Sequence, residues 1–133
     1  MILIVDVDYD IASLIKISLE KAGLFASAFT DPVRALEQFR SYPTNYALLL
    51  SDIVMPNMDG YELVHQVKRI KADVKILNLI AFEYSSQYFT KDLSNLDIAV
   101  FIEKPISMAE LCIIVRNVID NKPLAYSSNV HLS

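Results

Sequence analysis

The chain has 133 residues, 53% of them hydrophobic, and a formal net charge of −4. That length suits one domain around one core, and the acidic balance argues against a nucleic-acid-binding surface. No apolar run approaches the roughly 18 residues of a membrane span, Asp6 interrupts the first run too early for a secretory signal, and the lone Cys112 has no internal disulfide partner, so a cytoplasmic protein is expected.

Taken in order, Ile2 to Val5 is a short β-rich run that ends at Asp6. From Asp10 to Ala22, apolar residues at Ile11, Leu14, Ile15 and Ala22 follow a helical spacing closed by Gly23. Leu24 to Phe29 reads as a second strand. Thr30 or Asp31 then caps a second helix, with Pro32 in its first turn and an end near Tyr42, before Pro43 and Asn45 break it. The third strand, Ala47 to Ser51, runs straight into Asp52, and Pro56, Asn57 and Asp59-Gly60 spell the loop that follows.

Tyr61 to Lys71 sets Leu63, Val64, Val67 and Ile70 against Glu62, His65, Gln66 and Arg69, the pattern of an amphipathic helix. The one basic cluster, Lys68, Arg69, Lys71 and Lys75, reads as a solvated helix face. Lys75 to Ala81 is a fourth strand, Ser85 to Leu96 a weakly patterned fourth helix, and Ala99 to Ile102 a fifth strand. Ser107 to Asp120 makes a fifth helix, opened by Ser107 and Glu110 as a capping box. In it Met108, Leu111, Cys112, Val115, Val118 and Ile119 share one face, with Ile113 nearly opposite.

Five β-α units in strict alternation predict an α/β fold, a doubly wound five-stranded parallel sheet with helices on both faces. The expected domain covers residues 1–121, and residues 122–133 form a partly ordered tail. Only two glycines are present, which excludes the common Gly-rich phosphate loops. His65, on a polar helix face, and His131, in the tail, are assigned no role.

The chemistry gathers at strand ends. Asp6 and Asp8 follow the first strand, Asp52 ends the third, and Lys104 follows the fifth, immediately before Pro105. Parallel strands bring such ends to one edge of the sheet, where ligands of open α/β sheets bind. An ammonium among carboxylates favours their charged forms and keeps its own charge. Carboxylates with one fixed cation suit Mg²⁺ and a phosphoryl group.

Three segments in this order, Ile2-Leu-Ile-Val-Asp6, Leu50-Ser-Asp52-Ile-Val-Met-Pro56 with Met58-Asp-Gly60, and Phe101-Ile-Glu-Lys104-Pro105, resemble the receiver domain of a two-component response regulator over about residues 2 to 120. The resemblance implies a flavodoxin-like fold with sheet order 2-1-3-4-5 and transfer of a phosphoryl group from a kinase histidine to Asp52. It implies a metal site of Asp6, Asp52 and the Val54 backbone carbonyl, a phosphoryl-pairing Lys104 with a cis Lys104-Pro105 bond, and an aromatic switch at Phe101. Its partners are a sensor histidine kinase or a phosphotransfer protein, and its surface of helix four, strand five and helix five is a docking and dimerisation face, here with Tyr88, Phe101 and Ile113. Two positions depart from the pattern. Val7 stands where the family carries a second, metal-binding carboxylate, and Ile80 where it carries a hydroxyl that bonds the phosphoryl oxygen.

The departures point to weak Mg²⁺ binding, with Asp8 as a possible substitute ligand, and to a receiver that is phosphorylated weakly or not at all. A phosphorylation-independent pseudo-receiver that works only through protein contacts is the alternative. A more distant reading takes Ile4-Val-Asp6-Val-Asp8 as the nucleophile motif of haloacid-dehalogenase-type phosphatases, although Tyr9-Asp10 stands where that motif has Gly-Thr.

Overall fold

The computed structural model describes residues 1–81, 100–123 and 130–132. Its strands are β1 (Ile2–Val5), β2 (Ala26–Phe29), β3 (Leu48–Asp52), β4 (Lys75–Ala81), β5 (Val100–Lys104) and β6 (Val130–Leu132). Its helices are α1 (Tyr9–Lys21), α2 (Pro32–Ser41), α3 (Gly60–Ile70) and a C-terminal helix, Met108–Ile119. β1 to β5 are parallel in the order 2-1-3-4-5, the doubly wound, flavodoxin-like topology. The segment read from sequence as a tail adds β6, antiparallel on the outer edge of β5. The predicted fourth helix, Ser85 to Leu96, lies outside the described residues.

Alternation along the strands splits the core into two layers. Leu3, Val5, Leu49, Ile76, Ile80 and Phe101 face α2 and α3, where Phe39, Leu63, Val64 and Val67 meet them. Ile2, Ile4, Leu48, Leu50, Leu79 and Ile102 face α1 and the C-terminal helix, meeting Ile15, Leu19, Leu111 and Val115. The expected inward face of the C-terminal helix holds, with Ile114 added to it and Ile113 exposed. In α1 the buried stripe is Ala12, Ile15 and Leu19, so Leu14, counted inward from its spacing, projects into solvent beside Ile17.

Helix ends follow the local chemistry. Asp8, Asp31, Asp59 and Ser107 each accept a backbone N–H in the first turn of the helix they open. α1 ends with Gly23 at φ 85°, where Leu24 N–H donates to Leu19 O at 2.9 Å. The C-terminal helix ends the same way with Asn121 at φ 56° and Lys122 N–H on Asn117 O at 2.8 Å. Lys75 is not part of a helix face. It starts β4, and its ammonium donates to Val118 O (2.8 Å) and Ile119 O (3.1 Å), satisfying carbonyls that the helix leaves open.

β3 and α3 meet without slack. Gly60 N–H donates to Ile53 O at 2.7 Å, and a Cβ on Gly60 would meet the Asp52 carbonyl oxygen and lie 2.6 Å from Ile53 Cα. Both neighbours are backbone, so neither yields as a flexible side chain does. Gly60→Ala is therefore expected to destabilise the fold by about 1–3 kcal/mol, read as a lower urea midpoint at unchanged slope. An unchanged midpoint would show that the junction has room.

Candidate functional site

β1, β3 and β5 end on the same edge of the sheet, and their last residues converge. Asp6 is 1% exposed and Asp52 6% exposed. The Lys104 ammonium lies 2.6 Å from Asp52 Oδ1 and 3.4 Å from Asp6 Oδ2. Asp6 Oδ1 also accepts the Asp8 N–H at 2.9 Å, which fixes the carboxylate to the backbone of its own turn. Asp52 Oδ1 and the Lys104 ammonium form a close ion pair. The Lys104-Pro105 bond is cis.

Burial dominates the charge balance. It drives Asp52 from 3.8 up to about 7; the Lys104 ammonium pulls the other way, and the Asp6 charge adds to the rise. The bare reading of strand ends, in which the ammonium lowers its carboxylates, is thus corrected for Asp52, because desolvation outweighs the pair. Burial tends to lower Lys104, but Asp52 and Asp6 outweigh it, and the amine titrates above its usual range. Two carboxylates share one ammonium, so at full ionisation the cluster carries one excess negative charge.

That donor set fits Mg²⁺. One or two carboxylates, with water and phosphate oxygens, are the usual provision for this ion, and Asp52 and Asp6 bring two buried carboxylates against a single ammonium. Val54, whose backbone carbonyl is the third expected oxygen, follows Asp52 by two residues in the loop before α3. Asp8 does not join them. Its carboxylate accepts Asp10 N–H at 2.9 Å and Ile11 N–H at 3.3 Å as the cap of α1, and its place after the turn leaves it solvent-exposed. Among the described residues no three His, Cys, Asp or Glu side chains come together as a metal cluster.

The remaining expectations divide. Val7 is exposed beside the site and offers no oxygen. Ile80 is buried against the α2–α3 layer together with Phe101, which is 1% exposed. Phe101 therefore points inward and is not a surface contact, because it alternates with Ile102 and belongs to the core layer on the side of α2 and α3. Tyr88 lies outside the described residues, and of the three expected interface residues Ile113 alone is seen on the surface, 61% exposed. Sequence reasoning missed Ser51 and Asn78, both fully buried. Ser51 Oγ donates to Asp52 O at 2.8 Å and Asn78 Nδ2 to Ser51 O at 3.1 Å, fixing the backbone under Asp52. A polar residue amid the apolar run of each strand was the available signal.

Comparison with known proteins agrees with this geometry. Residues 2–116 match the family described as the response regulator receiver domain. The chain is 38% identical over 81 residues to the response regulator receiver protein CpdR of Brucella abortus, which covers 61% of this chain and 66% of that protein. It is 26% identical over 118 residues to the response regulator SaeR of Staphylococcus aureus, covering 89% of this chain and 50% of SaeR. The chain thus spans about two thirds of one relative and half of the other. Among solved structures, a sensor protein from Polaromonas sp. JS666 superposes with a TM-score of 0.78 at 30% identity, covering 90% of this chain and 95% of that one.

The raised Asp52 pKa makes stability depend on pH with a definite sign. Between about pH 4 and 7 the folded chain keeps a proton on Asp52 that the unfolded chain has released, so folding loses stability as pH rises through that window. Lys104, already raised, stays charged throughout and contributes no slope there. Relative to Asp52→Asn, the wild type is expected to lose on the order of 2 to 4 kcal/mol between pH 4 and 7.5. Urea titrations of both proteins across that range check it, and a pH-independent difference overturns the assignment.

Proposed function

Because the chain belongs to the response regulator receiver domain family, a set of signalling modules of two-component systems, we propose that it accepts a phosphoryl group on Asp52 at a weakened site and signals through protein contacts. The observation that carries this reading is the convergence of Asp52, Asp6 and Lys104 at one sheet edge. A phosphohistidine of a sensor kinase or phosphotransfer protein is the donor that the family implies. In the transfer, an Asp52 carboxylate oxygen attacks phosphorus as the bond from phosphorus to the imidazole nitrogen breaks. The imidazole leaves with that electron pair, and aspartyl phosphate remains. Lys104 keeps its proton and shifts its charge from the Asp52 carboxylate to the new phosphoryl oxygens, a role of positioning and charge stabilisation.

Asp6, Asp52 and the Val54 carbonyl are the groups that would hold Mg²⁺, which when bound supplies positive charge against the incoming phosphoryl oxygens. Val7 withholds the further carboxylate. Ile80 fills with a buried alkyl chain the place where a hydroxyl would reach the phosphoryl group, and it shares a core layer with Phe101. Phosphorylation at Asp52 then has no direct bond through which to move β4. This burial also supports the second reading, a module that keeps the fold and works without phosphorylation. The phosphatase reading has less support: Asp6 is buried and held by its own backbone and by Lys104, and the family match spans nearly the whole chain. No described helix is long and apolar enough to cross a membrane.

The decisive measurement is intact mass after incubation with a small phosphodonor and Mg²⁺. The wild type should gain one phosphoryl group slowly and partially, Asp52→Asn should gain none, and Val7→Asp should gain it faster and bind Mg²⁺ more tightly. If neither the wild type nor Val7→Asp is modified, the phosphorylation-independent module becomes the correct reading.

A further inference from the structure

Five parallel strands in the order 2-1-3-4-5 leave two edges, β2 and β5, and the chain treats them differently. β2 reads Ala-Ser-Ala-Phe, short and poor in β-branched residues. β5 opens Val-Phe-Ile before Glu103 and Lys104, and such a run suits pairing with another strand. An uncovered edge of that kind presents unpaired N–H and C=O groups as a template for a second chain. β6 lies on that edge, with Val100 opposite Leu132, Phe101 opposite His131 and Ile102 opposite Val130.

The direction of β6 says what it excludes. Among the described strands it is the one antiparallel member of an otherwise parallel sheet. Two copies of this chain that joined sheets edge to edge about a two-fold axis would pair β5 with β5 antiparallel, since an isologous contact brings the same strand back reversed. The slot and polarity that β6 fills are therefore those that the second copy's β5 needs. A three-residue strand is a short closure, and the well-capped end of the C-terminal helix at Asn121 and Lys122 lets it detach without unravelling that helix.

We propose that Val130–Leu132 is a self-supplied edge strand that keeps the chain from pairing through β5 with a second copy of itself, and that its release produces a β5-to-β5 dimer. The proposal deepens the reading of the chain as a module acting through protein contacts. It concerns oligomeric state and so stands or falls separately from phosphorylation of Asp52. It also narrows the homodimer expected from sequence to one made by β5 itself once β6 has left that edge.

Two measurements on the full chain test it. In sedimentation equilibrium the wild type should remain monomeric, whereas the double variant Val130→Pro, His131→Pro should self-associate at least tenfold more tightly. Two successive prolines remove a ladder donor whichever residue bonds to β5. A folded variant that stays monomeric, or a wild type that dimerises as tightly as the variant, overturns the proposal. Should the variant fail to fold, amide exchange in the wild-type monomer decides: slowed exchange within residues 130–132 supports a docked edge strand, and exchange at unstructured rates refutes it.

Discussion

Holding one ammonium against two buried carboxylates sets terms for the whole domain. Lys104 reaches Asp52 and Asp6 only if β1, β3 and β5 end level at one edge, although β1 and β5 are separated by two intervening strands. The strand register delivers this. Val5 stands opposite Ser51, and Asp52 opposite Leu79, with Ile102 beyond it. The apolar residues of both layers fix that register, because a slip by one residue would exchange the layers. A buried ion pair is weak evidence for stability, as desolvation offsets its attraction. Here the pair leaves one carboxylate charge uncompensated when both are ionised.

Most of this was legible in the chain because the signals were local. The apolar runs of β1, β3 and β4 stop at turn residues, the caps at Asp31 and Ser107 are spelled in order, and α3 declares its buried face by period. The site was legible for the same reason: Asp52 and Lys104 sit at the ends of apolar strands. Readings that depended on a third dimension failed. Leu14 fits a helical spacing yet lies off the stripe set by Ala12, Ile15 and Leu19. Asp8 looked like a spare ligand, but the cap of α1 claims it. Phe101 looked like a surface aromatic until the neighbouring layers were in place. β6 had no periodic pattern to betray it, since three residues pairing with a strand about thirty positions earlier leave no local trace. The direction of the Asp52 shift depends on burial, which the sequence does not state.

Val7 and Ile80, the two departures from the receiver pattern, have different surroundings. Val7 is exposed, so replacing its side chain disturbs little packing. Ile80 is part of the core, and its neighbours have settled around an alkyl chain. Restoring a carboxylate at position 7 is therefore a surface change. A hydroxyl at position 80 has to displace a packed apolar contact and find a hydrogen bond.

The pinch between Ile53 and Gly60 has one more meaning. Residues 54 to 59, including Asn57 at φ 71°, form a small noose tied off at its base by the Gly60 amide. Met55 packs into the core and Asp59 caps α3, so the noose is pinned on both sides of Asn57. The knot thus separates the carboxylate upstream of it from the exposed Pro56 and Asn57 at the tip.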